Sequence, residues 1–523
     1  MTITVTDMFC GAGGSSTGLS AVPGITVKTA MNHWARAIET HNTNHPDVDH
    51  ICADIQLTDP RSISTTEMLW GSPECTNHSV AKGRKRITNQ GALFGDKAPD
   101  EAAMRSRATM WDIPAYAEVH DYKIIITENV VDAAKWVMFD AWLLAMKSLD
   151  YEHHIVYMNS MHAQLGGLPA PQSRDRMYVM FWKKGNTKPD FDKLRPLAYC
   201  PSCDETVRAL QVFKKPNERW GRYRAQYNWR CPKVSCRNRI IEPGWRPAAD
   251  AIDWGIEGQR IGDRPVKDYY NKAGDFIGSG PLAPKTMARI LAGLEKYGGQ
   301  PVAIDAVRGA QILSAVNSEP FQTQTTSYTR GLLVPVEGRD GKEARDITEA
   351  MRTQTTRNET GLLMPPLIIN NVSGADASRT ATVHDPLRTL VGGGNHESLL
   401  MPYYGSSKPQ GVDQPIGTLT TVDRYAMITL RGQNAPKDVY DPLDTFAANG
   451  NHHALMGVRP PEVEDCTFRM LEPHEVTWGM AFPKDYTMTG TKREMVKQAG
   501  NAVCPPNARD LGMIAAESLG AAA

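Results

Sequence analysis

The first 190 residues alternate short β-branched runs with helical stretches. The runs include ITVTDMF, GITVKTAMN, DHICADI and KIIIT, and helical stretches such as WARAIETHNTN and DAAKWVMFDAWLLAMKSL follow several of them. This alternation indicates βαβ units and therefore an α/β fold, with a parallel sheet covered by helices on both faces. Functional residues of such a sheet gather where strands end and helices begin.

From about residue 191 the pattern changes to short polar segments rich in Pro, Gly and Thr. Five of these segments align, each beginning three residues before a shared threonine. A repeat of this length is typical of stacked supersecondary units, here a turn, a threonine-rich strand, a polar tip and a short apolar strand. The array is either a scaffold alone or a scaffold that presents its tips to a ligand. The shared threonines are Thr323, Thr353, Thr389, Thr418 and Thr445.

Length and charge limit the classes of function. The chain has 523 residues, which is longer than a chain that folds around a single hydrophobic core usually is. We therefore expect at least two domains. Its 58 basic and 58 acidic residues cancel, so a polyanion partner would need a local basic patch. The opening MTITVTDMFCGAGG has no charged or apolar leader region, and no run of about 18 apolar residues occurs. We therefore expect a cytoplasmic protein, and we expect a monomer.

FCGAGG, residues 9–14, directly follows the predicted first strand and precedes a helix. Glycines there let the backbone approach a ligand closely and point amide groups at it. Dinucleotide enzymes, methyltransferases and plain tight turns all use such a loop. Asp54, which ends the third strand, is either an acceptor for an adenine amino group or a solvated strand-end acid.

TENV, residues 127–130, ends the apolar run KIIIT. Glu128 is therefore either an acid that faces the cleft, with a raised pKa and a proton to give to a ring nitrogen, or a structural acid whose oxygens are hydrogen-bonded within the protein. PQSRDR, residues 171–176, places Arg174 and Arg176 on one side of an extended segment. Arginines on one face suit an anionic or carbonyl-rich ligand, and a salt-bridged surface strand is the alternative.

GSPECTNHS, residues 71–79, holds one cysteine between an acid and a threonine, with a histidine three residues on. Cys75 is a candidate nucleophile, a candidate metal ligand, or a small apolar side chain that happens to be a thiol. A Cys/His hydrolase built on Cys75 and His78 is one function that this pair leaves open.

Four of these stretches, in this order and spacing, resemble motifs of the DNA cytosine-C5 methyltransferase family. FCGAGG resembles its cofactor loop, SPEC its nucleophile loop, ENV its glutamate motif and QSRDR its Gln-x-Arg-x-Arg motif. RMLEPHEVTWGMAFP, from Arg469, and GNAVCPPNA, from Gly500, resemble the last two motifs of the family. The resemblance covers about residues 1–190 and 466–523. It implies a Rossmann-like core that depends on S-adenosylmethionine and is discontinuous in sequence.

The resemblance also implies a covalent mechanism on cytosine in double-stranded DNA. Cys75 would add to C6 of a base flipped out of the duplex, so that C5 can attack S-adenosylmethionine. Glu128 would hydrogen-bond N3 and the exocyclic amine, and Arg174 and Arg176 would hold the cytosine oxygen and support the thiolate. The residues implied for the cofactor are Phe9, Gly11, Gly13, Gly14, Asn32, Asp54, Pro73 and Asn501.

Two positions depart from the family pattern. Glu74 precedes the cysteine where the family has proline, and a carboxylate beside a thiol tends to raise its pKa unless Arg174 or Arg176 offsets it. Asn32 stands where an acid usually grips the ribose of the cofactor, and an amide supplies no charge. A modified cofactor or weak binding therefore stays open beside ordinary methyl transfer.

CPSC and CPKVSC give two close pairs of thiols separated by 27 residues. Two such pairs are what a tetrahedral zinc with four sulfur ligands needs, and unmetallated thiols or a disulfide pair are the alternatives. Because sulfur fills every position, we expect a structural rather than a catalytic metal. The predicted ligands are Cys200, Cys203, Cys231 and Cys236.

Basic and aromatic residues lie between and just after these pairs. The cations could contact phosphates while the rings stack or wedge, or the rings could form the core of a solvated ribbon. The basic run KGRKR, residues 82–86, is either a phosphate clamp or a plain surface loop. The ribbon residues are Lys214, Lys215, Arg219, Arg222, Arg224, Arg230, Lys233, Arg237 and Arg239, with Trp220, Tyr223, Tyr227 and Trp229.

We therefore predict three parts of the chain. Residues 1–190 with 466–523 form the catalytic domain, 191–265 form a zinc-ribbon-like insert, and 266–465 form a β-rich target-recognition region with about five repeats. Two other functions stay open, namely methylation of cytosine in RNA, and DNA binding without catalysis by a degenerate methylase core. The sequence gives neither the recognised bases nor the choice between restriction-modification, host regulation and protection of phage DNA.

Overall fold

The computed structural model describes residues 2–73, 109–297 apart from 216 and 272, and 463–521. The predicted nucleophile at Cys75 and the basic run 82–86 lie outside these residues. Between 331 and 463 the structure describes the short segments 332–335, 343–346, 349–353, 360–364, 369–371, 398–400, 425–429, 437–438 and 453–457.

A seven-stranded sheet forms the centre of the first part of the chain, in the order β3-β2-β1-β4-β5-β8-β6. Six of its strands run in the same direction, and β8 is antiparallel to both of its neighbours, β5 and β6. The sheet is thus mixed, and the prediction of a purely parallel sheet is wrong at β8. The first eight strands are β1 Ile3–Met8, β2 Ile25–Asn32, β3 Asp49–Cys52, β4 Met68–Gly71, β5 Ile124–Asn129, β6 Tyr151–Asn159, β7 Gln172–Ser173 and β8 Asp175–Lys183.

Helices cover both faces of this sheet, as predicted. Trp142 and neighbouring residues of α3 and α4 pack on one face, and Leu19 of α1 packs with Leu511 and Ile514 of α8 on the other. None of the described helices is both long and apolar enough to cross a membrane. The described helices are α1 Gly14–Ser20, α2 Ala35–Asn44, α3 Asp112–His120, α4 Phe139–Ser148, α5 Pro284–Tyr297, α6 Pro473–Gly479, α7 Lys492–Asn501 and α8 Pro505–Ser518.

The antiparallel direction of β8 determines which segments lie together at one edge of the sheet. Because β8 runs against β5, its first residues lie beside the last residues of β5, with Met177 opposite Asn129 and Tyr178 opposite Glu128. The segment that precedes β8 therefore reaches the edge at which β1, β2, β4 and β5 end. In an α/β sheet this carboxyl edge is where ligands bind.

Two antiparallel hairpins carry the four paired cysteines. They are formed by β9 Leu197–Cys200 with β10 Glu205–Arg208, and by β11 Leu210–Phe213 with β12 Tyr227–Arg230. Tyr227 and Trp229 are buried in the same apolar cluster as Trp142 of α4. The hairpins thus share a core with the central sheet.

A second, antiparallel sheet has the order β13-β25-β19-β16-β17, and α5 packs on it through Ile290. Its strands come from three distant parts of the sequence. Each of the five aligned segments ends in a strand, in order β16, β19, β21, β22 and β24. The strands after β12 are β13 Gln259–Arg260, β14 Lys267–Tyr270, β15 Phe276–Gly280, β16 Leu332–Pro335, β17 Arg345–Asp346, β18 Met351–Arg352, β19 Thr360–Met364, β20 Ile369–Asn371, β21 Ser398–Leu400, β22 Tyr425–Thr429, β23 Lys437–Asp438, β24 His453–Gly457 and β25 Thr467–Met470.

Candidate active site

The glycine loop, residues 9–14, turns sharply at the carboxyl end of β1. Phe9, Gly11 and Gly13 have positive φ angles of 60°, 52° and 90°, a conformation that costs least at glycine. α1 begins at Gly14, where a side chain would collide with the main-chain carbonyl of Val503. The loop therefore depends on glycine for its turn at Gly11 and Gly13 and for close packing against Val503 at Gly14.

A buried chain of polar groups holds this loop. Asp7 accepts hydrogen bonds from the hydroxyls of Ser15 and Ser16 at 2.6 and 2.7 Å, and burial raises its pKa to about 6. The hydroxyl of Ser16 also lies 2.9 Å from Nε2 of His41, whose Nδ1 is 2.8 Å from Nε2 of His50. Burial lowers the pKa of His41 to about 2, so its ring is neutral near pH 7. Scattered histidines form no sequence motif, so sequence reasoning missed this chain.

Three of the other predicted cofactor residues lie at or just after the ends of strands, and the fourth lies at the end of a helix. Asn32 ends β2 and is 8 % exposed, and its Oδ1 accepts a hydrogen bond from the N–H of Trp34 at 2.9 Å. Asp54 is exposed beyond β3, and its carboxylate accepts from the main-chain N–H two residues on, at 3.1 Å. Pro73 is buried after β4, whereas Asn501 is exposed at the end of α7. Asp54 thus caps a turn in this structure.

Glu128 and Arg176 form an ion pair at the same edge. Oε1 of Glu128 lies 2.8 Å from Nε of Arg176, and their side chains are 12 % and 14 % exposed. All six residues of β5 are buried, so the strand fixes the position of Glu128. Water is largely excluded from the pair, and its electrostatic attraction is correspondingly stronger than at an open surface.

Arg174 makes different contacts from Arg176. Its side chain is buried, and Nη2 donates to the main-chain carbonyls of Gly500 at 3.2 Å and Ala502 at 3.1 Å. These two carbonyls flank Asn501. The two arginines, which were predicted to act together, therefore make different contacts. Arg176 pairs with Glu128, whereas Arg174 holds the last motif against the arginine motif.

The segment after Pro73 contains the predicted nucleophile. The carbonyl of Pro73 accepts a hydrogen bond from Nδ2 of Asn129 at 3.4 Å, and Asn129 is the buried neighbour of Glu128 in β5. This bond fixes the start of the nucleophile segment beside the end of β5. Cys75 and Glu74 lie outside the described residues, so their roles stay predictions.

Asp112, at the start of α3, is a buried acid that no sequence motif marked. It is 9 % exposed, and its Oδ2 has no hydrogen-bond partner among the described residues. Burial and, to a smaller extent, the charge of Asp54 raise its pKa to about 7. Because Asp54 is a predicted adenine contact, the charge of Asp112 is linked electrostatically to one predicted cofactor residue.

Replacing Asp112 by asparagine is expected to stabilise the protein more at pH 8 than at pH 5. The ordinary pKa of 3.8 rises to about 7 on folding, so the free energy of unfolding falls as pH rises between these values. Asparagine has the same shape and cannot ionise, so the gain in the thermal midpoint over the wild type should be a few degrees larger at pH 8 than at pH 5. Glu118→Gln, exposed on the same helix, is the control. An equal shift at both pH values would contradict this account.

The four paired cysteines form one cluster. Their Sγ atoms all lie within 4.8 Å of one another, with Cys200 to Cys236 at 3.8 Å and Cys203 to Cys231 at 3.9 Å. A tetrahedral zinc with Zn–S bonds of about 2.3 Å would set its sulfurs about 3.8 Å apart. None of the four is in a disulfide. The donor set and spacing therefore fit a zinc ion.

The aromatic and basic residues near this cluster are largely used within the protein. Tyr223, Tyr227 and Trp229 are buried, and Nε1 of Trp229 donates to Nδ1 of His162 at 3.0 Å. These three rings belong to the core, which favours the ribbon-core interpretation for them over base stacking. Four of the predicted basic residues form ion pairs with neighbouring acids, namely Lys215 with Glu218, Arg222 with Asp132, Arg224 with Glu242 and Lys233 with Glu205.

The cysteine hairpins also contact the catalytic motifs directly. Nε1 of Trp220 donates to the carbonyl of Val131 at 2.9 Å, just after the glutamate motif. The N–H of Tyr223 donates to Oδ1 of Asp175 at 3.0 Å, between the two arginines. The hairpins therefore support both sides of the Glu128–Arg176 pair.

Sequence comparison gives one family match. The family described as C-5 cytosine-specific DNA methylase matches residues 3–228. This range includes the glycine loop, the glutamate motif, the arginine motif and part of the cysteine hairpins. No curated protein matches the chain in sequence.

Several solved structures are similar to this chain at low identity. An Escherichia coli prophage protein, assigned as a DNA modification methyltransferase, is 14 % identical with a TM-score of 0.43, over 99 % of this chain and 100 % of that one. The Entamoeba histolytica methyltransferase EhMeth is 10 % identical with a TM-score of 0.39, over 99 % of both chains. A Spodoptera frugiperda DNMT2 variant is 13 % identical with a TM-score of 0.33, over 57 % of this chain and 80 % of that one.

Proposed function

Residues 3–228 belong to the C-5 cytosine-specific DNA methylase family, and from this premise we propose that the protein methylates C5 of cytosine in double-stranded DNA. Methyl transfer from S-adenosylmethionine to cytosine C5 follows from the family. The finer parts of the proposal are the DNA substrate, a specific target sequence and a covalent intermediate on Cys75. The observation that carries the proposal is the Glu128–Arg176 pair at the edge that also holds the glycine loop.

The chemistry needs a nucleophile, because C5 of cytosine does not take a methyl group unaided. The Cys75 thiolate bonds to C6 of a flipped base, which makes C5 electron-rich enough to accept the methyl group. S-adenosylmethionine, when bound, supplies that methyl group as an electrophile. Loss of the C5 proton and departure of the thiolate then restore the aromatic ring and free Cys75.

Glu128 and Arg176 serve the base during this sequence. The carboxyl group of Glu128 hydrogen-bonds N3 and the exocyclic amine, so that it stabilises the ring as charge develops on it. Arg176 holds Glu128 in place and offers a guanidinium to the cytosine carbonyl oxygen. The role of Arg174 is to fix the last motif through the carbonyls of Gly500 and Ala502.

Replacing Glu128 by glutamine is expected to lower kcat by about 10²- to 10⁴-fold with DNA affinity nearly unchanged. Glutamine keeps the shape but cannot give a proton to N3, and proton transfer by a positioned acid contributes rate enhancements of this size. Single-turnover methyl transfer and DNA-binding isotherms measure the two effects. Glu118→Gln serves as the control because Glu118 is exposed on α3. Loss of DNA binding with an unchanged transfer rate would refute the assigned role.

The four cysteines hold a structural zinc ion in this proposal. The spacing of their Sγ atoms supports it, and the shared core explains why a metal would matter for folding. With four sulfur ligands the ion has no open position, so it takes no part in methyl transfer.

The proposed division of the chain follows the three predicted parts. Residues 1–190 and 466–523 form the catalytic domain, which is supported by the packing of α8 against α1. Residues 191–265 form the zinc-binding insert, and 266–465 form the target-recognition region.

Methylation of RNA is the competing function. Both polymers present the same cytosine ring, so the catalytic residues do not separate them. Incubation with tritiated S-adenosylmethionine and either genomic DNA or transfer RNA separates the two substrates directly. Bisulfite sequencing of DNA from expressing cells would then give the target sequence, whereas label in RNA alone would overturn the proposal. If neither DNA nor RNA becomes labelled, the result would favour a non-catalytic DNA-binding protein.

A further inference from the structure

A short segment of the recognition region lies directly on the arginine motif. β18, Met351–Arg352, pairs in parallel with β7, with Met351 opposite Gln172 and Arg352 opposite Ser173. The N–H of Met351 donates to the carbonyl of Pro171 at 2.8 Å. The segment is nearly 180 residues away in sequence, so this pairing is a tertiary contact and not a local turn.

Thr353 adds a side-chain bond to the same motif. Its Oγ1 donates to the main-chain carbonyl of Ser173 at 2.8 Å. That carbonyl belongs to the peptide that joins Ser173 to Arg174. On the opposite side, the N–H of Arg174 donates to Oδ1 of Asn159 at 3.1 Å, and its carbonyl accepts from the N–H of Ser160 at 3.0 Å. The arginine motif is thus held by the central sheet on one side and by the recognition region on the other.

The segment itself is firmly anchored. Met351 is fully buried and packs with Val476 of α6 and with Ala251 of the insert. Gly479 makes room for it, because a Cβ there would lie 2.9 Å from Sδ of Met351. The carbonyl of Glu349 accepts a hydrogen bond from the N–H of Ala248 at 2.8 Å. A shift of this segment would therefore involve the insert, α6 and the arginine motif together.

We propose that the segment 349–353 is a positioning element that couples target recognition to catalysis, with Thr353 as the side chain that sets the arginine motif. The inference rests on the proposed function. Only Asp175 separates Arg174 from Arg176, and Arg176 contacts Glu128. Main-chain placement at Ser173 therefore controls how Arg176 meets Glu128 and the flipped base. Thr353 acts through this backbone and does not touch the substrate.

Thr353→Val and Thr353→Ser test the inference. Valine has the shape of threonine but no donor, whereas serine keeps the hydroxyl and loses the methyl group. The valine variant is expected to lower the single-turnover rate of methyl transfer about fivefold, which is the change expected if the net value of one hydrogen bond is lost from the transition state. DNA affinity and the thermal midpoint should stay near those of the wild type because Thr353 is exposed. The serine variant should transfer methyl groups within about twofold of the wild-type rate.

Three results would overturn the coupling role while leaving the proposed function intact. They are a full rate in the valine variant, an equal loss in the serine variant, or a loss confined to DNA affinity. Thr353→Ala repeats the measurement if the valine variant is insoluble. A wild-type protein that methylates no DNA would instead overturn the proposed function, and this inference with it.

Discussion

Cys75→Ser abolishes methyl transfer and leaves DNA binding intact. The adduct at C6 requires a nucleophile that is anionic near neutral pH, and a serine hydroxyl is not. Without the adduct, C5 cannot attack the methyl group, so we expect the rate to fall by about 10⁴-fold or more. Tritium transfer measures the rate, and fluorescence anisotropy with a target duplex measures binding. The matched control is Cys52→Ser, since Cys52 is an exposed free cysteine.

Retained turnover in the serine variant would remove Cys75 from the nucleophile role. The acidic neighbour Glu74 makes this test informative, because a carboxylate beside a thiol raises its pKa. A compensating cation is then required, and Arg176 is the arginine that the structure holds beside Glu128. If this compensation is correct, Glu74→Gln should speed adduct formation at pH values below the thiol pKa.

Cys200→Ala is expected to remove the metal and much of the folded structure. Structural zinc supplies about 10–16 kcal/mol of apparent binding free energy, comparable to the whole stability of an ordinary domain. Because Tyr227 and Trp229 share a cluster with Trp142, loss of the metal should reach the central sheet. Elemental analysis should give one zinc per wild-type chain and none in the variant. Thermal unfolding should show a large drop in the midpoint.

Cys52→Ala is the control for the metal experiment. It removes an exposed thiol outside the cluster and should keep both zinc and stability. If wild-type protein that is purified without a chelator contains no zinc, that result would contradict the proposed metal site. A Cys200→Ala protein that loses zinc yet keeps its thermal midpoint would contradict the shared core as the reason for the metal.

The alternation of strands and helices predicted which motifs lie at strand ends better than it predicted the direction of the strands. Glycines after β1 and a glutamate at the end of β5 mark strand ends in any α/β chain, and both lie at the carboxyl edge. The continuous apolar run of β8 is compatible with either strand direction, so its reversal could not be predicted. That reversal brings Arg176 to Glu128.

Several features of the site depend on long-range packing, which local sequence patterns do not predict. Trp229 could stack on a base or fill a core, and only tertiary contact with His162 distinguishes the two. The shared threonine marks five segments equally, yet nothing in the pattern indicates that Thr353 bonds to Ser173. Asp112 and His41 are isolated in sequence, and their pKa values are shifted chiefly by burial and to a smaller extent by charges that the fold brings near them.

A DNA duplex with 5-fluorocytosine at the target position tests the central claim most directly. Fluorine at C5 cannot leave as a proton does, so after methyl transfer the thiolate cannot be expelled and the enzyme stays bonded to C6. The account predicts a complex that survives denaturation, forms only with S-adenosylmethionine present, and maps by mass spectrometry to Cys75. The account would be contradicted if the same duplex with ordinary cytosine is methylated but the 5-fluorocytosine duplex gives no such complex.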